Sequence, residues 1–189
     1  MMVTLKTKQF LRITVLLFLF ISQSIFSQKY FTRTGNTEFK ASIDAFEPVE
    51  AKDNSTTVVL DTKNGDIAAL LLIKAFKFKV ALMQEHFNEN YMDSDTYPKA
   101  TFSGKLVNFN FSEINSEKNY TIKGKLTIKG ISKDIETVGK LKKIDSKIFL
   151  SSSFTVSPEE FNIKIPSIVR KKIAKNVIIN LNYELSEKK

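Results

Sequence analysis

His86 is the only histidine in 189 residues and the only side chain whose ordinary titration falls near neutral pH. It sits in Gln84-Glu85-His86-Phe87-Asn88-Glu89. Two readings stay open: a general base or ligand contact, or a helix-surface or rim histidine bonded to a neighbour. The spacing is not His-Glu-x-x-His, and no second histidine completes a zinc site. Asp93 and Asp95 lie close together, as do Glu159 and Glu160, and carboxylate pairs can cleave glycosidic bonds. Asp93-Ser94-Asp95 reads instead as a turn after a helix, and Glu159 and Glu160 as first-turn acids favoured by the helix dipole. Tryptophan, the usual platform for a sugar, is absent. Zero cysteines exclude a thiolate metal site, a disulfide framework and a Cys nucleophile. Six scattered glycines form no phosphate loop. These residues point to no enzyme, no metal and no cofactor. The remaining charged feature is Arg170-Lys171-Lys172, with Lys175 nearby, either a solvated loop or a basic rim for a phosphate head-group or an anionic membrane surface.

The elements that would position these residues begin with a leader. Lys6, Lys8 and Arg12 precede an apolar run from Ile13 to Ile21 that continues weakly to Phe26, and no acid appears before Glu38. This is the pattern of a secretory signal peptide over residues 1–27, cleaved after Ser27 or, alternatively, Ser24. The apolar run is shorter than the roughly 20 residues a membrane span needs. The reading implies a periplasmic or secreted protein. Loss of Lys6, Lys8 and Arg12, with no acid, lowers the net charge from +9 to +6. The other lysines mostly recur at every second position, which describes a wet sheet face and not a nucleic-acid stripe.

From Thr37 onward, period-two alternation dominates. Tyr120, Ile122, Gly124, Leu126 and Ile128 fall on one face, and Thr121, Lys123, Lys125, Thr127 and Lys129 on the other. Val177, Ile179, Leu181, Tyr183 and Leu185 form a second apolar face; Ile148, Leu150, Ser152, Phe154 and Val156 form a third inward run. Lys63-Asn64-Gly65-Asp66 is a hairpin signal. Further returns are expected over residues 115–119, 130–133 and 144–147. The pattern predicts eight strands over residues 37–45, 56–61, 66–76, 100–111, 119–129, 133–142, 147–156 and 176–185. It also predicts an amphipathic helix over 79–91, with Val80, Met83 and Phe87 on its apolar side. Ser157-Pro158-Glu159-Glu160 suggests a capped helical turn ending near Phe161. Eight antiparallel strands resolve their edges by closing, so the expected fold is an all-β, eight-stranded, lipocalin-like barrel in residues 28–189. Such a barrel is filled by side chains or holds one small ligand.

Gly124-Lys125-Leu126-Thr127-Ile128-Lys129-Gly130-Ile131-Ser132-Lys133 resembles the G-x-L-T-I-x-G-V-T-K hairpin of the YceI-like family. Tyr97-Pro98-Lys99-Ala100-Thr101-Phe102 is similar to its Y-P-x-A-T-F strand entry, and Phe154, Val156, Phe161, Ile163, Ile165 and Pro166 match its late pattern. The resemblance implies an exported barrel that holds a polyisoprenoid or isoprenoid-quinone chain by apolar contacts, without catalytic residues or metal. The opening Phe31-Thr32-Arg33-Thr34-Gly35 departs from the family's Asp and His-Ser start. Phe76, Phe78, Phe102, Leu106, Ile122, Leu126, Phe154 and Val156 are the expected lining, with Arg170, Lys171 and Lys172 as a head-group rim. The expected partners are an apolar isoprenoid-type lipid and, transiently, a membrane. The alternative is a filled barrel serving as a structural or protein-interaction module of the envelope.

Overall fold

The computed structural model describes residues 29–43 and 48–188, so the leader expected over residues 1–27 lies outside the described residues. Among the described residues the strands are β1 Lys29–Ser42, β2 Glu50–Asp61, β3 Asp66–Leu72, β4 Lys77–Phe78, β5 Lys99–Leu106, β6 Lys118–Ile128, β7 Ile131–Ile144, β8 Lys147–Val156 and β9 Ile173–Glu187, with one α-helix, α1, at Ala81–His86. Eight of them form a ring in the order β1-β9-β8-β7-β6-β5-β3-β2, closed by pairing of β1 with β2. The two-residue β4 is a spur on the Ala51–Lys52 end of β2. Every pairing is antiparallel. The eight-stranded antiparallel barrel expected from the alternation is the fold.

Alternation sets the faces. Tyr120, Ile122 and Leu126 of β6 are buried, while Lys123 and Lys125 of the same strand are exposed and face Glu136 and Asp134 of β7 at 2.9 and 3.0 Å. Cross-strand pairs this exposed contribute about 0–1 kcal/mol each. The stabilisation comes from the apolar interior. The β6–β7 hairpin turns through Lys129 (φ 49°) and Gly130 (φ 76°), a left-handed pair that suits the twist of the strands.

Several expected boundaries are corrected. β1 starts at Lys29, not 37, and β2 at Glu50, not 56. Register shifts on either side of Gly35 reset which side chains face inward, so residues 29–36 show no clean period of two. The strand expected over 66–76 ends at Leu72 and becomes a 3₁₀ turn at Ile73–Ala75 followed by β4. The strand expected over 100–111 ends at Leu106, and Phe111–Asn115 is a 3₁₀ turn held by Asn110, which accepts from the Ser112 amide. The helix expected over 79–91 is α-helical only to His86 and widens to a π-turn at Phe87–Tyr91. The turn after Ser157 is a 3₁₀ turn, Pro158–Phe161, stopped by Asn162 in the left-handed region; the Ser157 side chain makes no cap bond, so no capping box forms.

The interior divides into two clusters. At the base, Val58, Leu60, Leu106, Ile114, Leu141, Ile148 and Leu185 pack solidly. At the other end, Phe39, Ala41, Ala51, Leu71, Ile73, Phe76 and Met92 form a second cluster. The base carries the short returns between β2 and β3 and between β7 and β8. The longer connections, residues 73–98 and 157–172, lie at the other end.

Candidate functional site

A cavity of about 500 Å³ occupies the barrel above the packed base. That volume falls within the range of small-molecule sites, about 300–1,000 Å³. Its floor is made by Ile67, Ile122, Leu150 and Tyr183, its walls by Phe39, Leu71, Phe76, Phe102, Leu126, Phe154 and Ile179, and its mouth by the two long connections. Glycine makes part of this space. Gly104 and Gly124 face each other across β5 and β6, and a Cβ on either would meet backbone at 2.4–2.5 Å and the Phe102 ring at 2.6 Å. The Phe102 ring therefore lies over them, along the wall.

One side of the mouth is α1 and its π-turn. The wider turn, closed by the Met92 amide on the Phe87 carbonyl at 2.9 Å, leaves Phe87 and Tyr91 both lining the cavity. Phe87 anchors this cover. Its ring stacks on Phe39 (centroids 5.3 Å apart, 24° between planes) and meets Phe76 and Phe78 at 5.7 and 5.1 Å. Lys129 Nζ donates to the Tyr91 carbonyl at 2.8 Å and ties the turn to the β6–β7 hairpin. The other side is the connection from β8 to β9, which contributes Pro158, Phe161, Ile163, Ile165, Val169 and Lys172.

Seven of the eight residues expected as lining, Phe76, Phe78, Phe102, Ile122, Leu126, Phe154 and Val156, border the cavity. Leu106 does not. It is fully buried in the base cluster, because β5 ends there and its last inward residue seals the floor. Of the expected rim, Lys172 borders the cavity, whereas Lys171 is exposed and Arg170 turns back to donate to the Ile165 carbonyl at 3.2 Å. Ile168, 86% exposed, projects from the same loop. His86 borders the mouth, and among the described residues no Asp or Glu lines the cavity with it. Among the described residues no three or more His, Asp or Glu side chains gather as a metal set.

The sequence reading missed a polar band inside the barrel. Thr37, Thr56, Thr137, Ser152 and Tyr183 all border the cavity. Thr37 and Ser152 flank Leu181 in register across β1, β9 and β8, so the band runs along neighbouring strands at one level. Behind it is Asp53, 1% exposed, whose carboxylate accepts from Thr56 Oγ1 at 2.6 Å, from Ser55 Oγ at 2.5 Å and from the Ser55 amide at 2.9 Å. Thr37 Oγ1 lies 2.8 Å from Thr56 Oγ1 and 3.0 Å from the Tyr183 hydroxyl. The Tyr183 ring lies against Gly35, where a Cβ would sit 2.7 Å from Cδ1. Tyr183 and Ser152 sit at inward positions of otherwise apolar runs, and that placement is the signal that marks them.

Burial, reinforced by the negative charge of Asp53, pushes the Tyr183 phenol from 10.0 up to about 12. The native state thus keeps its proton where the unfolded chain has lost it. The stabilisation is fully present below pH 10 and disappears as pH rises towards 12. It amounts to roughly 2–3 kcal/mol. Urea unfolding of wild type and Tyr183→Phe from pH 9 to 12 should show the wild type losing that much more stability than the variant.

A family model described as the YceI-like domain matches residues 21–185. Solved structures with this fold include a polyisoprenoid-binding domain from Saccharophagus degradans implicated in plant cell wall breakdown, with a TM-score of 0.73 and 10% identity over 85% of this chain and 99% of that one. BcnA of Burkholderia cenocepacia gives 0.65 and 18% identity over 80% and 96%. The YCEI protein of Campylobacter jejuni gives 0.61 and 17% over 76% and 88%. At these identities the likeness is one of fold. No curated protein sequence matches.

Proposed function

The chain belongs to the YceI-like family, and we propose that it is an exported carrier that holds a long isoprenoid-type lipid, a polyisoprenoid or isoprenoid quinone, in its barrel. The observation that carries this reading is the hollow upper half of the barrel, about 500 Å³ with walls of Phe, Leu, Ile and Val, above a solid base. A barrel whose task was purely structural or protein-interacting has no use for that space, so the cavity favours the carrier. Burying each CH₂ of a chain contributes about 0.8 kcal/mol, so a long lipid binds tightly without a charged contact. The Saccharophagus degradans relative is described as polyisoprenoid-binding, which supports the same ligand class here. The leader pattern supports export to the periplasm or beyond.

In this reading Phe76, Phe78, Phe102, Ile122, Leu126, Phe154 and Val156 hold the chain. The test is organic extraction of protein purified from its own envelope, followed by mass spectrometry. Recovery of a stoichiometric isoprenoid lipid is expected, and recovery of no apolar molecule would overturn the proposal.

Loading requires contact with a bilayer. The loop at the mouth suits that contact, with Ile168 exposed beside Arg170, Lys171 and Lys172. Each basic residue near an anionic surface contributes about 1 kcal/mol. Changing Arg170 and Lys171 together to glutamine should lower partitioning onto phosphatidylglycerol vesicles by roughly 30-fold at low salt, about 1 kcal/mol per charge removed. Partitioning onto neutral phosphatidylcholine vesicles should not change. Vesicle sedimentation measures both.

A further inference from the structure

The polar band in the cavity has a direction. A hydroxyl carries one hydrogen, so each can donate only once. Thr56 gives its hydrogen to the Asp53 carboxylate at 2.6 Å. In its bond with Thr37, therefore, Thr56 accepts and Thr37 donates. In the bond between Thr37 and Tyr183, Thr37 accepts and Tyr183 donates. All three hydrogens point away from the cavity towards Asp53. The same count applies on the neighbouring strands. Ser152 Oγ donates to the Val138 carbonyl at 2.9 Å, so Thr137, 3.2 Å from Ser152 Oγ, must be the donor of that pair. What these five side chains leave for a ligand is lone pairs. Among the described residues the other polar side chains at the cavity lie at its mouth: His86, Tyr91, Ser157 and Lys172 on or beside the connections, and Thr101 near the start of β5, opposite Thr127 beside the β6–β7 hairpin.

Tyr183 heads this chain, so its oxygen, unlike those of Thr37 and Thr56, accepts nothing within it, and the bonds in series that end on a carboxylate polarise that oxygen towards an incoming donor. We infer that the inner end of the cavity selects a lipid by a hydrogen-bond donor at its terminus, accepted by Tyr183 Oη, so that an isoprenoid alcohol enters head first and its chain trails towards the mouth. This deepens the carrier reading and rests on it. An ester, an ether or a quinone carbonyl placed at the same depth brings only lone pairs to lone pairs and leaves a buried polar group unpaired. A phosphorylated lipid brings negative charge towards Asp53.

The test uses the purified, delipidated protein and two probes of one chain length, geranylgeraniol and its methyl ether, with affinities read by displacement of a fluorescent lipid. The ether carries one more carbon, which apolar burial alone would favour. The alcohol is nevertheless expected to bind about tenfold tighter or more. Asp53→Asn supplies an amide N–H that donates to Thr56, which reverses the chain and leaves Tyr183 with a hydrogen to offer the cavity. The preference for the alcohol should then vanish, with both probes still bound. Tyr183→Phe provides a second variant in case Asp53→Asn does not fold, and it too should abolish the preference. Equal affinities in the wild type, or a preference unchanged in a folded variant, would overturn the inference while leaving the carrier reading intact. Failure of the wild type to bind either probe would remove both.

Discussion

Phe39→Ala is expected to lower the free energy of unfolding by about 3–5 kcal/mol, as large truncations in protein cores do. Phe39 is buried on β1, and its ring touches three others: Phe76 edge-on at 5.0 Å, Phe78 edge-on at 5.6 Å and Phe87 stacked at 5.3 Å. These rings come from β1, from the strap between β3 and α1, and from the π-turn, so one truncation loosens three segments. Truncation cannot be absorbed locally, because the space it leaves joins a cavity already present. Urea denaturation followed by far-ultraviolet circular dichroism measures the loss. Hydrogen exchange should also show faster exchange in residues 81–92 than in the β6–β7 hairpin, since the rings hold that cover and the hairpin has its own ladder. A midpoint shifted by less than about 1 kcal/mol would show that the four rings are not a cooperative unit.

The second large effect is on binding. Ala69 lies on β3 opposite Phe102 of β5 and borders the cavity. Ala69→Trp should place an indole where the lipid chain runs. Exclusion of about four methylenes, at about 0.8 kcal/mol each, weakens binding by at least about 100-fold. Lipid should no longer co-purify. Stability should stay within about 1 kcal/mol of the wild type, because the indole enters open space, whereas overfilling a packed core costs about 1–3 kcal/mol. The pairing of the two results separates a blocked cavity from a damaged fold. Retained lipid in a folded Ala69→Trp protein would mean that the chain does not lie in the upper barrel.

Much of this architecture is written locally. Tyr120 to Ile128 alternates cleanly because β6 pairs without a register break along its length, from Lys118 opposite Leu141 to Ile128 opposite Ile131. The same holds for β8 and β9, from Lys147 opposite Ser186 to Val156 opposite Val177. Seven of the eight residues chosen as lining border the cavity for that reason: parity alone sends a side chain inward. Parity does not give height along the barrel axis. Leu106 points inward as expected yet seals the base, because its level depends on where β5 stops and not on its own surroundings in the chain. β1 and the start of β2 were harder to read, since the shifts around Gly35 serve a contact distant in sequence, the Tyr183 ring on β9. The hydroxyl band was harder still. Asp53 lies in Glu50-Ala-Lys-Asp-Asn-Ser, which has the composition of a surface turn; its bond with Thr56 is local, but only the closed ring brings Thr37 and Tyr183 up to that pair.

The chain's described ends meet on neighbouring strands: β9 lies beside β1, and the Lys188 amide bonds the Lys29 carbonyl at 2.7 Å. That seam is at the base, away from both covers of the mouth. Joining those two ends by a short linker and opening the chain at another base turn, such as Asp145-Ser146, would preserve every stave of the barrel in its place. Circular permutation is therefore a natural manipulation for this molecule. An anchor, reporter or affinity handle attached at the seam would hold the vessel by its foot and leave its opening unobstructed.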